Sequence, residues 1–338
     1  MRPLILDVQS YELDAQEKEM LAHPLVAGVI LFTRNFDNLQ QLKELVQQIR
    51  LAARHDILIG VDHEGGRVQR FRDQFTHLPS AGSLLAHNSL HEAKKLAFSS
   101  AWVMSIELIA CDIDVSFAPV LDVNGISDVI GQRAFSSSIP ETVTLGDAYI
   151  EGMNAVGMQA TGKHFPGHGS VKADSHIDLP VDERSSESIF ELDIQPFSQL
   201  IKQDKLAAIM PSHVVYKQCD ALPAGFSPYW LQTILRKQLD FKGVIISDDL
   251  SMHGATFMGN HVSRAKAALK AGCELILACN DSVGAISILD NLAISKTVDN
   301  SAVIKLGYRK NKIQLPLENN PIWLDYTRKL KEFADHVD

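Results

Sequence analysis

The segment GVIISDDLSMHGATFMGNHVSRAKAALKAGCELILAC, residues 243–279, indicates the fold class. It contains an apolar run at 243–250, a helical pattern at 260–271 and a second apolar run at 274–279. Both runs are rich in aliphatic residues and lack polar alternation, which is typical of parallel strands buried on both faces. Two such strands joined by a helix form one βαβ unit of an α/β fold.

The same unit recurs along the chain. Eight apolar runs predict strands: PLILDV (3–8), AGVILF (27–32), ILIGVD (57–62), VSFAPVLDV (115–123), MQATGKHF (158–165), AAIMPSHVV (207–215), GVIISDDL (243–250) and ELILAC (274–279). Helical patterns lie between most of them, at 39–53, 90–111, 140–157, 185–203, 226–239, 260–271 and 282–297. This alternation predicts a (β/α)8 TIM-type barrel, with an open doubly wound sheet as the alternative.

We expect one domain spanning residues 1–338, because no linker, repeat or low-complexity tract interrupts the chain. For residues 298–338 we predict a helical C-terminal extension that packs on the outside of the barrel. Asp14 and Glu17 predict the capping box of a short helix that Pro24 closes. Asp37, with Gln40 three residues later, predicts the start of the helix over 39–53.

The composition is that of a globular protein. Of 338 residues, 46% are apolar and 22% are charged, which excludes a disordered chain, a collagen and a coiled coil. The formal net charge of −9 argues against a nucleic acid or an anionic membrane as a partner. It remains compatible with an anionic small substrate that a few arginines would contact.

No uninterrupted apolar stretch approaches the ~18 residues of a membrane span. The apolar patch near the N-terminus is too short for a secretion signal, and acidic residues follow it directly. The cysteines are Cys111, Cys219, Cys273 and Cys279, and Cys273 and Cys279 fall at opposite ends of one predicted strand. These features predict reduced thiols in a cytoplasmic protein, which we expect to be a monomer.

Polar residues end almost every predicted strand. Functional residues of a barrel gather at the carboxyl ends of its strands and in the loops that follow. The residues at these ends are Asp62, Arg67, Arg70, Asp122, Arg133, Lys163, His164, Ser212, His213, Asp248 and Asp249. A single polar strand end is most often a solvated residue, but the joint pattern indicates a binding or catalytic site.

The loop KHFPGHGSVKADSHIDLP, residues 163–180, is the densest segment in ionisable residues. A divalent metal could use its histidines and carboxylates, although their spacing is a weak signal for such a site. His168 and Asp178 could instead brace a long loop. In a third interpretation Asp174 orients His176 and favours its protonated form, so that His176 gives and later takes a proton. We expect no metal ion and no cofactor.

Asp248 is the candidate nucleophile, because it closes an apolar strand and a rigid element therefore places its carboxylate. Alternation along a strand turns the side chain of Asp249 to the face opposite that of Asp248, and the sequence alone does not decide which of the two faces the barrel axis. We expect Asp249 to cap the next helix.

At these residues the chain resembles the family 3 glycoside hydrolases, and within them the single-domain bacterial β-N-acetylglucosaminidases of peptidoglycan recycling. The resemblance rests on VDHEGGRVQR (61–70), GQRAFS (131–136), KHFPGHGSVKADSHIDLP (163–180) and SDDLSMHGA (247–255), which follow one another in the family's order over roughly residues 3–280. We expect no counterpart here of the α/β sandwich that follows in many larger members.

The resemblance implies roles for individual residues. Asp248 matches the family's nucleophile, His176 its acid/base and Asp174 the partner of that histidine. Asp62, Arg70, Arg133, Lys163 and His164 match the positions that hold the terminal N-acetylglucosamine. A nucleophile with a separate acid/base is the scheme of a retaining glycosidase, with histidine here in the place of a carboxylic acid.

The implied substrate is a small muropeptide, an N-acetylglucosaminyl-1,6-anhydro-N-acetylmuramyl peptide, cleaved from its non-reducing end. The implied role is cell-wall recycling, with consequences for cell shape and division. Three alternatives stay open: a phosphorylase, since histidine repels phosphate less than a carboxylate would; a non-catalytic sugar-binding barrel; and a metal-dependent hydrolase.

Overall fold

A computed structural model describes residues 2–172, 179–293, 301–307 and 316–337. Eight parallel strands form its main sheet: β1 Leu4–Asp7, β2 Val26–Leu31, β3 Leu58–Val61, β4 Val115–Ser116, β5 Thr161–Phe165, β6 Ala208–Pro211, β7 Val244–Asp249 and β8 Leu275–Ala278. Their order is β4-β3-β2-β1-β8-β7-β6-β5. Val120, just after β4, bridges Lys163 of β5, and the Leu121 amide donates to the Lys163 carbonyl at 2.7 Å. The two ends of the sheet therefore meet, which confirms the (β/α)8 barrel and excludes the open sheet.

A helix follows each strand: α1 Ala15–Leu21, α2 Leu39–Ala53, α3 Leu90–Ala110, α4 Ile139–Val156, α5 Gln195–Lys202, α6 Tyr229–Gln238, α7 His261–Ala271 and α8 Ser282–Asn291. A short helix, Ala81–Ala86, precedes α3, while a turn at Ser186–Ser188 and a π-helical turn at Ile189–Asp193 lead into α5. Two further helices, α9 Ser301–Leu306 and α10 Pro321–Val337, follow the barrel.

The barrel interior is apolar. Side chains from alternate positions of the strands fill it, among them Ile5, Leu58, Phe117, Ile246 and Leu277, and each of these is buried. Leu306 of α9 joins this cluster. A second, larger set of buried residues lies between the strands and the surrounding helices. Burial on both faces explains why the strands read as continuous apolar runs.

The helix starts test two predictions of capping. Asp14 and Glu17 form the predicted capping box at α1, where the Glu17 amide donates to Asp14 at 2.8 Å. At α2 the prediction is wrong by one residue. Asn38 is the cap, and its side chain accepts a hydrogen bond from the Gln41 amide at 3.0 Å. Asp37 and Asn38 are both good caps, so local chemistry alone does not choose between them.

Two small β-structures lie beyond the strand ends. An antiparallel hairpin joins His63–Gly65 to Val68–Gln69, directly after β3. A short parallel pair joins Val181–Asp182 to Val215–Tyr216. The hairpin carries part of the candidate site described below.

The last helix, α10, packs against α3. Trp323 Nε1 donates to Glu107 Oε1 at 2.9 Å, and the Tyr326 ring meets the Trp102 ring edge-on with centroids 5.4 Å apart. The four cysteines, all within the described residues, are free thiols. None of the described helices is both long enough and apolar enough to span a lipid bilayer.

Candidate active site

A cavity of about 720 Å³ opens at the carboxyl ends of the strands. Its lining includes six of the predicted site residues: Asp62, Arg70, Arg133, Lys163, His164 and Asp248. Residues from four separate regions of the sequence thus share one cavity, as expected for the strand ends of a barrel. A larger groove of about 950 Å³ lies among α3, α4 and α10, and its lining contains none of these six residues.

Lys163 of β5 lies between two carboxylates. Its Nζ is 2.8 Å from Asp62 Oδ1 and 2.7 Å from Glu64 Oε1, and the residue is only 2% exposed. Burial favours the uncharged amine, but the two carboxylates outweigh it and raise the pKa of Lys163. Burial likewise disfavours ionised Asp62, yet Lys163 and Arg70 hold the pKa of Asp62 below its usual value.

Glu64 also binds Arg133 in a bidentate pair. Arg133 Nε and Nη2 donate to its two carboxylate oxygens at 2.8 Å each. Burial would raise the pKa of Glu64, but Arg133 and Lys163 together bring that pKa far below its usual value. The result is a row of alternating charges in the order Asp62, Lys163, Glu64 and Arg133.

Sequence reasoning missed Glu64. The available signal was its position in VDHEGGRVQR, two residues after Asp62, because alternate residues of an extended segment share a face. The hairpin that pairs His63 with Gln69 holds Glu64 at the cavity.

Arg70 lies at the edge of the row. Its Nη2 is 3.4 Å from Asp62 Oδ2, and its guanidinium carbon lies 5.6 Å from the centre of the Phe32 ring. Arg34 approaches the same ring at 4.5 Å. The nearby Arg67 donates to the Val129 carbonyl and also lines the cavity.

A fully buried carboxylate, Asp122, orients His164. Asp122 Oδ2 is 2.7 Å from His164 Nδ1, and Asp122 Oδ1 accepts from the His168 amide at 2.7 Å. Arg133 Nη2 lies 3.4 Å from His164 Nε2. A carboxylate only accepts, so Nδ1 of His164 donates to Asp122, and this bond fixes the orientation of the ring.

His168 is 3% exposed and lines the cavity. Among the described residues, neither of its ring nitrogens has a hydrogen-bond partner. Burial and the neighbouring His164 lower the pKa of His168. Its main chain is held by the amide bond to Asp122 Oδ1 at 2.7 Å and by its carbonyl, which accepts from the Val171 amide at 3.5 Å.

Asp248 and Asp249 end β7, and both line the cavity. The prediction that Asp249 turns to the opposite face is therefore wrong. The register of β7 against β8 shifts between Ile246 and Asp249, and such an irregularity breaks strict alternation. Asp248 Oδ1 accepts from the Asp249 amide at 2.8 Å.

Asp249 caps none of the helices in the described part of the chain, contrary to prediction. Its Oδ1 accepts from the amides of Ser251 at 2.9 Å and Cys279 at 3.1 Å, so it ties the end of β7 to the end of β8. Asn260 caps α7 instead. Burial raises the pKa of Asp249 to about 6, and the nearby charge of Asp248 contributes to the increase.

Two strand-end residues after β6 are not brought to the cavity. His213 is fully buried, stacks on Phe226 with ring centroids 5.0 Å apart, and its Nε2 lies 3.1 Å from the Asp249 carbonyl. Ser212 is also fully buried, and its Oγ lies 3.2 Å from the Tyr216 hydroxyl. Both therefore support the strand ends.

The predicted acid/base pair, Asp174 and His176, lies outside the described residues, as does Asp178. Within the described ranges, no group of three or more His, Cys, Asp and Glu side chains could hold a metal ion. The described cavity presents alternating donors and acceptors along one wall and the carboxylate of Asp248. Such a wall matches a ligand that carries several hydroxyl groups.

Comparisons with known proteins agree with this chemistry. Residues 5–306 match the description "Glycosyl hydrolase family 3 N terminal domain". A curated "Beta-hexosaminidase" from Psychromonas ingrahamii is 65% identical over 335 residues, which is 99% of each chain. Another "Beta-hexosaminidase", from Haemophilus influenzae, is 54% identical over 296 residues, or 88% of this chain and 84% of its own.

Solved structures are similar over nearly the whole chain. NagZ from Neisseria gonorrhoeae in complex with N-trifluoroacetyl-D-glucosamine has a TM-score of 0.91 and 37% identity, with 98% of each chain covered. Another structure of NagZ from that organism, in complex with zinc ion, has a TM-score of 0.90 and 36% identity, again with 98% of each chain covered.

Proposed function

The chain belongs to glycosyl hydrolase family 3, and we propose that it is a retaining, exo-acting β-N-acetylglucosaminidase of cell-wall recycling. The coarser assignment, a glycoside hydrolase of the β-N-acetylhexosaminidase type, follows from the family and from the curated relatives. The finer assignment, which is the proposal, adds the identity of the sugar, the stereochemical course of the reaction and the natural substrate.

One observation carries the proposal. The Asp248 carboxylate lines the same cavity as the alternating row formed by Asp62, Lys163, Glu64 and Arg133. Fixed donors and acceptors of this kind can hold the hydroxyl and acetamido groups of a sugar, while a carboxylate beside them can reach its anomeric carbon. His164, whose ring is oriented by Asp122, adds an imidazole to the same wall.

In the proposed first step Asp248 attacks the anomeric carbon, and the bond to the leaving oxygen breaks. His176, oriented by Asp174, gives its proton to that oxygen. In the second step the same histidine takes a proton from water, whose oxygen displaces Asp248 from the anomeric carbon. Two displacements at one carbon give net retention of configuration.

The proposed natural substrate is an N-acetylglucosaminyl-1,6-anhydro-N-acetylmuramyl peptide. We place the enzyme in the cytoplasm as a monomer that needs no cofactor and no metal, and link it through recycling to cell-wall biogenesis, shape and division. Support for the sugar comes from the N-trifluoroacetyl-D-glucosamine complex of the Neisseria protein. The substrate and its compartment rest on the sequence resemblance.

A panel of aryl β-glycosides that differ only at the 2-substituent tests the proposal, together with the anhydromuramyl disaccharide peptide. We expect turnover of the 2-acetamido compound and of the muropeptide, and poor turnover of the 2-hydroxy compound. Preference for the 2-hydroxy sugar would contradict the assignment. Parallel reactions with added phosphate separate hydrolysis from phosphorolysis, because N-acetylglucosamine 1-phosphate as the main product would identify a phosphorylase.

A further inference from the structure

An ion pair outside the cavity, between a partly exposed arginine and buried carboxylates, joins two parts of the loop after β5. Ser170 precedes residues 173–178, and Arg184 follows them. Asp193, in the π-helical turn before α5, contacts both. Its Oδ1 accepts from Ser170 Oγ at 3.2 Å, and its Oδ2 accepts from Arg184 Nη2 at 2.8 Å.

Arg184 extends this contact to a second carboxylate. Its Nε and Nη2 donate to Asp182 at 3.0 and 2.6 Å, and the side chains of both Asp182 and Asp193 are almost fully buried. One guanidinium thus serves two buried carboxylates. Burial raises the pKa of Asp193 to about 6, despite the opposing effect of Arg184.

Asp193 also packs directly against the upstream part of the loop. A Cβ added at Gly167, whose φ is +147°, would lie only 2.6 Å from the Asp193 Cβ. Only glycine fits this close approach at that φ without strain. The Tyr216 hydroxyl donates to the Gly167 carbonyl at 2.6 Å, and Tyr216 pairs with Asp182 in the short parallel strands. The parts of the loop upstream and downstream of residues 173–178 therefore contact the same two residues, Asp193 and Tyr216.

We infer that Asp193, through Ser170 and Arg184, is a positioning residue for the segment that lies between them. The inference rests on the proposed function, because that segment carries His176, the proposed acid/base. Asp193 does not line the cavity, so it acts through the chain rather than on the sugar. The contacts of Asp193 fix the distance between Ser170 and Arg184, the residues between which the segment lies.

The test is the dependence of the rate on the leaving group. Misplacing a catalytic group by about 1 Å costs up to roughly 10²-fold in rate. Proton donation matters for a sugar leaving group and little for an activated phenol. We therefore expect Asp193→Asn, which keeps the size of the side chain and removes the ion pair, to lower kcat/KM on the anhydromuramyl substrate roughly 10–100-fold. Its kcat/KM on a 2,4-dinitrophenyl N-acetylglucosaminide should change by less than about 3-fold.

Glu183→Gln is the matched control. Glu183 lies between Asp182 and Arg184 in sequence, but its pair with Lys217 is exposed, with a distance of 2.8 Å. We expect both substrates to be turned over normally by this variant.

Equal losses on both substrates in Asp193→Asn would mean a merely structural role and would overturn the inference, as would no loss on either. If this variant does not fold, Ser170→Ala and Arg184→Gln remove the hydroxyl contact and the ion pair one at a time and must show the same selective loss. His176→Ala separates the two proposals. If that variant lacks leaving-group dependence, the acid/base assignment fails, whatever Asp193 does.

Discussion

Glu64 receives two hydrogen bonds from Arg133, each 2.8 Å long, at the carboxyl end of the barrel. Its Oε1 also lies 2.7 Å from Lys163 Nζ. Glu64 thus compensates two buried cations that the family resemblance assigns to sugar binding. A ligand that binds here meets groups that are already fixed, which lowers the entropy lost on binding.

Replacing Glu64 tests this arrangement. Removing one partner of a buried pair leaves the other charge uncompensated, so Glu64→Ala should lower the free energy of unfolding by about 3–5 kcal/mol. Urea denaturation of the wild type and the variant measures this difference in the free energy of unfolding. Glu183→Ala, at the exposed pair with Lys217, should cost only about 0–1 kcal/mol. Equal and small losses in the two variants would show that Glu64 does not hold the network.

The raised pKa of Asp249 predicts a pH dependence of stability. Burial raises this pKa from 3.8 to about 6, so the folded protein binds the proton of Asp249 more tightly than the unfolded chain does. The stabilising contribution of Asp249 to the free energy of unfolding is fully present below pH 3.8. It is lost as the pH rises through about 6. Between these values the wild type should lose stability relative to Asp249→Asn, by at most ~1.4 kcal/mol per pH unit. Denaturation of both proteins at several pH values checks this, and a difference that stays constant or rises would refute it.

Activity should not depend on a metal ion. His164 Nδ1 is bonded to Asp122, and its Nε2 faces the cation Arg133, which opposes a second cation at that nitrogen. Dialysis against EDTA should therefore leave kcat/KM essentially unchanged. Loss of activity that zinc or manganese restores would count against both this prediction and the histidine acid/base.

His176→Ala should show the signature of a missing acid/base. On the natural type of substrate we expect a loss of roughly 10²–10⁴-fold. An activated aryl glycoside needs no proton to depart, so its first step should suffer much less, and the intermediate should accumulate in a burst. Azide, which needs no base, should then intercept the intermediate. Asp174→Asn should show a weaker form of the same behaviour, since it only misorients the histidine.

The outcome that contradicts this assignment is equal loss for both leaving groups in His176→Ala, with neither burst nor azide rescue. His176 would then only bind or brace, and another group of the cavity would have to supply the proton.

Most of the barrel could be predicted because its strands are buried on both faces and so leave uninterrupted apolar runs. The strand over 244–249 illustrates this, since GVIISDDL contains it entirely. The helix start at Asn38 differed from the predicted Asp37 because two adjacent residues have similar capping chemistry.

The site was less completely predictable. Glu64 resembles a solvated acid in sequence, and its role depends on a hairpin and on Arg133, 69 residues away. The face of Asp249 depends on a register shift between neighbouring strands, which the strand's own residues do not encode. The ion pair of Asp193 with Arg184 forms only when a turn before α5 packs under the loop after β5.

Trapping the proposed glycosyl-enzyme tests the central claim most directly. The enzyme is treated with a slow fluorinated N-acetylglucosaminide and digested, and the labelled peptide is mapped by mass spectrometry. We predict one sugar on the peptide that contains residues 247–255, attached to Asp248, together with net retention of anomeric configuration by NMR. A label on Asp249, or an inverted product, would contradict the account.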